Sequence, residues 1–149
     1  MSDRMVVIGG DAAGMSAASQ ALRARPDDLD VVVFEKGEYT SYAACGLPYF
    51  VGDLIHDPDE LVARSPEQHR ANGIDVRTEH QVESIDTAAG HVVVRGPDGT
   101  ETVEPYDHLV IGTGASPLRP PLPGVDAAGV HGIQNLVDGI RLRAQVDDE

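Results

Sequence analysis

The 149-residue sequence predicts an α/β fold, built on a parallel sheet with a small antiparallel β-meander. Two short apolar runs, at 5–8 and 29–34, flank a helix-compatible stretch at 12–25, and this order predicts a β–α–β unit. Crossovers of this kind are right-handed and produce parallel strands. Three later runs alternate in polarity and are separated by turns, which is typical of a meander. These runs cover 81–86, 91–95 and 101–106.

The other elements follow from apolar runs and the residues that interrupt them. Pro26 ends the first helix, because proline cannot continue it. The segment 41–52 reads as a loop that enters a short helix, and the prolines after residue 116 predict a stiff, extended linker. The remaining predicted helices cover 66–72 and 136–146, and the remaining predicted strands cover 74–77 and 108–111.

The charge of the chain limits its partners. The 25 acidic and 11 basic residues give a net charge of −14, which repels nucleic acid and anionic membranes. This acidity is either a solvated surface that aids solubility or an adaptation to high salt. We find no apolar run of membrane-spanning length, no signal peptide, and a single cysteine, which excludes an internal disulfide. We therefore expect a cytoplasmic protein, and no metal site, because the six histidines lack metal-ligand spacing.

A glycine-rich turn follows the first strand. Gly9 and Gly14 occupy the first and sixth positions of the dinucleotide fingerprint, whereas Asp11 replaces its middle glycine. Glu35 follows at the end of the second strand, where an acid accepts hydrogen bonds from a ribose hydroxyl. The helix N-terminus attracts the pyrophosphate. The turn therefore indicates nucleotide binding; the alternative is a turn that the glycines only shape, with Glu35 as a solvated acid.

Cys45 is the only cysteine of the chain. Its small neighbours Ala44 and Gly46 leave room for a flat ligand or a substrate, and Pro48 is tolerated in the first turn of a helix. We expect Cys45 at a helix N-terminus, where the dipole favours the thiolate. Such a thiolate forms a mixed disulfide with a small thiol or is oxidised to a sulfenic acid. The alternative is an inert, buried small residue.

Six segments match a known family in order, and together they extend over nearly the whole chain. They are VVIGGDAAGMSAA at 6–18, FEK at 34–36, SYAACGLPYFVG at 41–52, RSPE at 64–67, VESID at 82–86 and YDHLVIGTGASP at 106–117. The chain resembles the single-cysteine branch of the FAD-dependent pyridine nucleotide–disulfide oxidoreductases, which includes coenzyme A disulfide reductases, NADH oxidases and peroxidases, and persulfide reductases. The resemblance implies a Rossmann-like FAD-binding domain that is truncated before the NAD(P)H-binding domain.

The resemblance also implies roles for individual residues. Cys45 would be the redox nucleophile that faces the flavin. Glu35 would bind the adenosine ribose, and Val82 would offer backbone contacts to the adenine. The implied FAD site comprises Gly9, Gly10, Ala12, Ala13, Gly14, Glu35, Lys36, Val82, Thr113 and Gly114.

A candidate substrate site is implied by the coenzyme A disulfide reductases. Ser16, Gln20 and Arg23 stand where those enzymes carry a hydroxyl residue, a glutamine and an arginine that contact coenzyme A. Their spacing places them on one face of the first helix. Ser41 also matches a coenzyme A contact. The alternative for the helical residues is an ordinary polar face.

The function implied by the resemblance is reduction by NAD(P)H, through FAD, of a small disulfide that forms a mixed disulfide with Cys45. Coenzyme A is the candidate thiol. An NADH oxidase or peroxidase would instead cycle Cys45 through a sulfenic acid, and a persulfide reductase through a persulfide. The alternative of a different class is a non-catalytic nucleotide-binding fragment or a split-enzyme subunit. We expect an FAD-binding domain over 1–118, a linker and helix over 119–149, and a homodimer when the enzyme is complete.

Overall fold

The structure, a computed structural model, describes residues 2–147. This part of the chain contains seven β-strands, four α-helices and two short 3-10 helices. The strands are β1 (Asp3–Ile8), β2 (Leu29–Phe34), β3 (Asp75–Arg77), β4 (Gln81–Asp86), β5 (His91–Arg95), β6 (Glu101–Pro105) and β7 (His108–Ile111). The helices are α1 (Ala12–Ala24), α2 (Leu47–Val51), α3 (Pro66–Ala71) and α4 (Leu136–Asp147). Every predicted strand and helix is present, with ends that differ by at most two residues.

A four-stranded parallel sheet has the order β3-β2-β1-β7. Its register pairs Val7 of β1 with Val33 of β2 on one side and with Val110 of β7 on the other. Valine dominates β1 and β2 because both faces of these strands are buried. The predicted α/β fold is therefore confirmed. Strand β7 is the last of this sheet, and its Ile111 keeps 60% of its surface exposed.

Alternate side chains of β2 enter two separate apolar clusters, because successive residues of a strand point to opposite faces. Val33 packs with Met15 and Ala18 of α1 on one face. Val32 packs with Val92 and other residues of the meander on the other face. Burial of each such aliphatic side chain contributes roughly 1.5–3 kcal/mol. Helix α1 and the meander thus cover opposite faces of the sheet.

The strands β4, β5 and β6 form the predicted antiparallel meander. The turn after β5 contains Gly99 with a φ of +81°, a conformation that glycine adopts without strain. The pairing of β4 with β5 shifts between Val82 and Ser84, which indicates a β-bulge. The bulge alters the local direction of β4 directly after Val82, the residue implied in adenine binding.

Residues 43–63, together with those from 115 onward, form a second compact unit, distinct from the first unit of residues up to 42 and 64–114. In the second unit α2 packs on α4. Gly139 permits this contact, because a Cβ at that position would lie 2.8 Å from Cδ2 of Leu47. The predicted FAD-binding domain over 1–118 stays a prediction.

Candidate functional site

The glycine turn brings three backbones together at the ends of β1 and β7. Gly9 has a φ of +103°, and a Cβ there would lie 2.3 Å from the carbonyl oxygen of Gly112. A Cβ at Gly14 would lie 1.9 Å from the carbonyl oxygen of Gly9. Gly112 N–H donates to the carbonyl oxygen of Ile8 at 2.7 Å. Both glycines of the fingerprint are therefore required by close backbone approach.

The N-terminus of α1 begins directly after this turn. Helix α1 starts at Ala12, and the side chains of Ala12 and Ala13 are exposed. The first N–H groups of a helix have no partner within the helix, and the dipole adds partial positive charge there. This exposed end, with a turn that requires glycine at positions 9 and 14, fits a pyrophosphate. The residues of the turn are therefore suited to FAD.

The carboxylate of Glu35 is tied to the same turn. Its Oε2 accepts the N–H of Gly10 at 2.7 Å, and its Oε1 accepts the N–H of Gly37 at 2.7 Å. These bonds hold an acid at the end of β2, where a ribose would bind in a dinucleotide fold. The neighbouring Lys36 is exposed.

Asp11 replaces the middle glycine of the fingerprint and precedes the first residue of α1. Its side chain does not cap the helix. Burial raises the pKa of the Asp11 carboxyl above its ordinary value, and the negative charge of Glu35 adds to this effect. The backbone N–H groups of Ala12 and Tyr42 partly offset the increase in pKa. Asp11 thus stands in surroundings that favour its protonated form.

The other residues of the implied FAD site lie on the meander and after β7. Val82 is half-buried and packs against the apolar cluster that the meander forms with β1 and β2. Thr113 and Gly114 are exposed, and the backbone nitrogen of Thr113 lies 3.3 Å from the position of a Cβ at Gly9. The structure thus brings Thr113 to the glycine turn.

The helical residues proposed to contact substrate lie on α1. Ser16, Gln20 and Arg23 are exposed, and Nη2 of Arg23 donates to Oε1 of Gln20 at 2.8 Å. This bond shows that Gln20 and Arg23 share a face of α1, as their spacing predicts. An exposed pair of this kind contributes little to stability. Ser16 has the exposure that a ligand contact requires.

Ser41 contacts a residue that the sequence did not single out. Its Oγ lies 2.9 Å from Nε2 of His69, a residue of α3 that is only 2% exposed. Burial lowers the pKa of His69, and the positive charge of Arg64 lowers it further. No local pattern identifies this contact, because the two residues stand 28 positions apart.

Cys45 belongs to the second unit. It is exposed and lies in a 3-10 helix, Ala44–Gly46, that leads directly into α2. Because Cys45 is exposed, it does not fit the alternative interpretation as a buried, inert residue. Pro48 stands in the first turn of α2, as expected.

Contacts from distant positions hold the backbone around Cys45. Ala43 N–H donates to the carbonyl oxygen of Leu61 at 2.8 Å. A Cβ at Gly46 would lie 2.3 Å from Cδ2 of Leu61, so the Leu61 side chain packs directly against the backbone beside the cysteine. Leu61 closes a second 3-10 helix, Pro58–Leu61, which begins with a capping box formed by Asp57.

Arg143 of α4 fixes the segment that follows α2. Its Nη1 donates to the carbonyl oxygens of Phe50 at 2.9 Å and Ile55 at 2.7 Å, and Nη2 pairs with Asp53. The guanidinium also lies 5.0 Å from the ring centroid of Phe50, within cation–π range. One planar side chain therefore joins α4 to the segment that carries Cys45, a role that the sequence did not reveal.

The described residues contain neither a candidate metal site nor a membrane-spanning helix. Within 2–147 no group of three His, Cys, Asp or Glu side chains could hold a metal ion. None of the helices in the same range is both long and apolar enough to cross a bilayer.

Residues 3–148 match the family model of the pyridine nucleotide-disulphide oxidoreductases. The chain is 40% identical over 148 residues to the NAD(P)H coenzyme A polysulfide/persulfide reductase of Pyrococcus horikoshii, covering 99% of this chain and 32% of that protein. It is 32% identical to an NADH oxidase of Methanocaldococcus jannaschii, covering 97% of this chain and 32% of that protein. The crystal structure of reduced Bacillus anthracis CoADR-RHD superposes with a TM-score of 0.92 at 30% identity, covering 99% of this chain and 27% of that one. The chain thus spans about one third of the length of the curated relatives.

Replacement of Asp11 by asparagine should stabilise the fold at neutral pH but not in acid. When the pKa of an acid is raised in the folded state, the acid makes the folded protein less stable as the pH rises from its ordinary value of 3.8 through the raised one. Below 3.8 the acid is protonated in both the folded and the unfolded state, so it has no such effect there. Because Asp11 is half-exposed, the gain near pH 7 should not exceed about 1 kcal/mol. The measurement is urea unfolding of both chains from about pH 3 to 7, with the exposed Asp27→Asn as control. An equal difference at both ends of this range would contradict the expectation.

Replacement of Arg143 by alanine should loosen the segment after α2 and cost about 2 kcal/mol, because it removes charged, part-buried hydrogen bonds to two backbone carbonyls. Hydrogen exchange should accelerate at the N–H groups of Asp53 and Leu54, which bond to the carbonyls of Phe50 and Tyr49. Alkylation of Cys45 by iodoacetamide should change in rate by several fold. The exposed Arg141→Ala, on the same helix, is the matched control. Equal behaviour of the two variants would show that Arg143 does not position this segment.

Proposed function

The chain belongs to the pyridine nucleotide-disulphide oxidoreductase family, and from this premise we propose that it is the N-terminal, FAD-binding part of an enzyme of the coenzyme A disulfide reductase type. The observation that carries the proposal is an exposed Cys45 on a segment held by Leu61 and Arg143. The relatives with coenzyme A or NADH in their names cover this chain almost completely. NAD(P)H would be the reductant of the whole enzyme.

The glycine turn and the start of α1 would hold FAD, as their geometry allows. Gly9, Gly14 and the N–H groups of Ala12 and Ala13 would bind the pyrophosphate, and Glu35 would accept from the adenosine ribose. When bound, FAD supplies the two-electron chemistry that no side chain can provide. The chain's own part in this is to bind and orient the cofactor.

Cys45 would carry the sulfur chemistry. Its thiolate attacks one sulfur of a small disulfide, so that a mixed disulfide forms at Cys45 and one thiol leaves as its thiolate. Exposure of Cys45 supports this role, because the attacking sulfur must be reached by the substrate. Ser16, Gln20, Arg23 and Ser41 would contact the coenzyme A portion of that substrate.

A second candidate is an NADH oxidase or a persulfide reductase. Relatives that carry these names match the chain over nearly its whole length. In such an enzyme Cys45 would alternate between the thiolate and a sulfenic acid or a persulfide. The same exposed sulfur serves all of these reactions, so the substrate contacts have to distinguish them.

The purified chain should retain FAD after gel filtration. The visible spectrum should show flavin absorbance and a long-wavelength charge-transfer band, since a thiolate next to a flavin produces one. The band should be lost in Cys45→Ser and kept in the matched control Ala43→Ser, which alters an exposed neighbour. Retained flavin without the band would contradict the proposed role of Cys45. Colourless protein would mean that these residues do not hold FAD by themselves, as in a non-catalytic fragment or a split-enzyme subunit.

Coenzyme A disulfide should add one coenzyme A group to the chain, and none to Cys45→Ser, because the chain has no other thiol. Intact-protein mass spectrometry measures the adduct, and a reducing agent should remove it. The control Ala43→Ser should give the same adduct as the unchanged chain. A dimedone adduct after peroxide treatment, with no coenzyme A adduct, would instead favour the oxidase.

A further inference from the structure

The backbone of Ser41 adopts a conformation that is uncommon for a residue with a Cβ. Its φ is +50°, in the left-handed region. Its N–H donates to the carbonyl oxygen of Gly10 in the glycine turn at 3.2 Å. The preceding Thr40 is completely buried. Such strain persists only where the surroundings determine the conformation, and it concentrates at functional sites.

The side chain of His69 forms a hydrogen bond with the Ser41 hydroxyl, with Nε2 and Oγ 2.9 Å apart. It is 98% buried, since only 2% of its surface is exposed. Burial and the charge of Arg64 lower the pKa of His69, so the ring is neutral at pH 7. A neutral imidazole carries one proton, and one of its nitrogens donates while the other accepts. The position of this proton decides what Ser41 can do.

The second ring nitrogen determines which tautomer is preferred. Nδ1 of His69 is buried and has no hydrogen-bond partner among the described residues. A proton on Nδ1 would leave an N–H group buried and unpaired, which proteins rarely tolerate. A proton on Nε2 is instead donated to Oγ of Ser41 at 2.9 Å, and only a lone pair stays unpaired on Nδ1.

We propose that His69 is a positioning residue that donates its Nε2–H to Ser41 and thereby makes the Ser41 hydroxyl a hydrogen-bond donor to the bound substrate. The hydroxyl oxygen accepts from His69, which leaves the proton of the hydroxyl for a different acceptor. The ligand group at Ser41 is therefore an acceptor, a carbonyl or phosphate oxygen of the small-thiol substrate. The assignment of the ligand group rests on the proposed function, which takes Ser41 as a substrate contact. The assignment of the His69 tautomer does not depend on the proposed function.

The tautomer is measured directly by NMR of the unchanged chain labelled with 15N and 13C. The ring nitrogen shifts of His69 should show a protonated Nε2 and an unprotonated Nδ1 at pH 7. Spectra of His69→Gln identify the signal by its absence, so no conclusion depends on the activity of a variant. A protonated Nδ1 would overturn the inference, because Ser41 would then donate to His69 and accept from the ligand.

The effect on the ligand is measured by titrating the chain with reduced coenzyme A. Ser41→Ala keeps a Cβ at the strained position and should weaken binding by about two- to tenfold, the effect of one hydrogen bond. His69→Phe should weaken it similarly, and the double variant should be no weaker than Ser41→Ala, because both remove one interaction. His69→Gln, whose amide can still donate, should fall between.

The outcomes separate the inference from the proposed function. If His69→Phe binds coenzyme A as tightly as the unchanged chain while Ser41→Ala does not, the positioning role is overturned and the proposed function stands. If the unchanged chain does not bind coenzyme A, the proposed substrate is contradicted, and so is the donor role of Ser41 toward it. The tautomer experiment then decides whether His69 donates to Ser41.

Discussion

Mutual contact between glycine backbones is the constraint on which the first unit depends. The Gly9 carbonyl stands where a Gly14 side chain would begin, and a Cβ at Gly9 would clash with the carbonyl oxygen of Gly112. Because no side chain separates these backbones, α1 starts directly at the ends of β1 and β7. The packing of Met15 against the sheet and the position of the N-terminus of α1 both follow from that starting point. The backbone contacts of these glycines thus determine both the shape of the candidate binding turn and the packing of α1 on the sheet.

Charged side chains hold the loops that carry the candidate residues. Glu35 accepts from two backbone N–H groups in the first unit, and Arg143 donates to two backbone carbonyls in the second. Hydrogen bonds with one ionised partner are shorter and stronger than neutral ones. These bonds tie the segments that carry the candidate residues to other parts of the same unit, while Cys45 stays exposed.

The fold was largely predictable from the sequence, whereas the contacts of the site were not. Alternation and apolar runs are local patterns, and they located all strands and α-helices to within two residues. The 3-10 helix at Pro58–Leu61 was missed, although Asp57 and Glu60 form a recognisable capping box. The contacts of His69 with Ser41 and of Arg143 with Phe50 join residues 28 and 93 positions apart. Contacts at such separations depend on the folded topology and leave no pattern in a single sequence.

The outer side of β7 has a consequence for the behaviour of the chain in solution. Within the part of the chain that the structure describes, this strand pairs with β1 alone, and Ile111 at its end is mostly exposed. An unpaired edge offers backbone donors and acceptors to any other strand, including that of another molecule. The net charge of −14 keeps molecules apart at neutral pH, but this repulsion disappears near the isoelectric point of about 4.6. The excess of acidic residues therefore keeps the exposed edge of β7 from pairing with other molecules. Aggregation along β7 should become favourable in mildly acidic solution, where the net charge approaches zero.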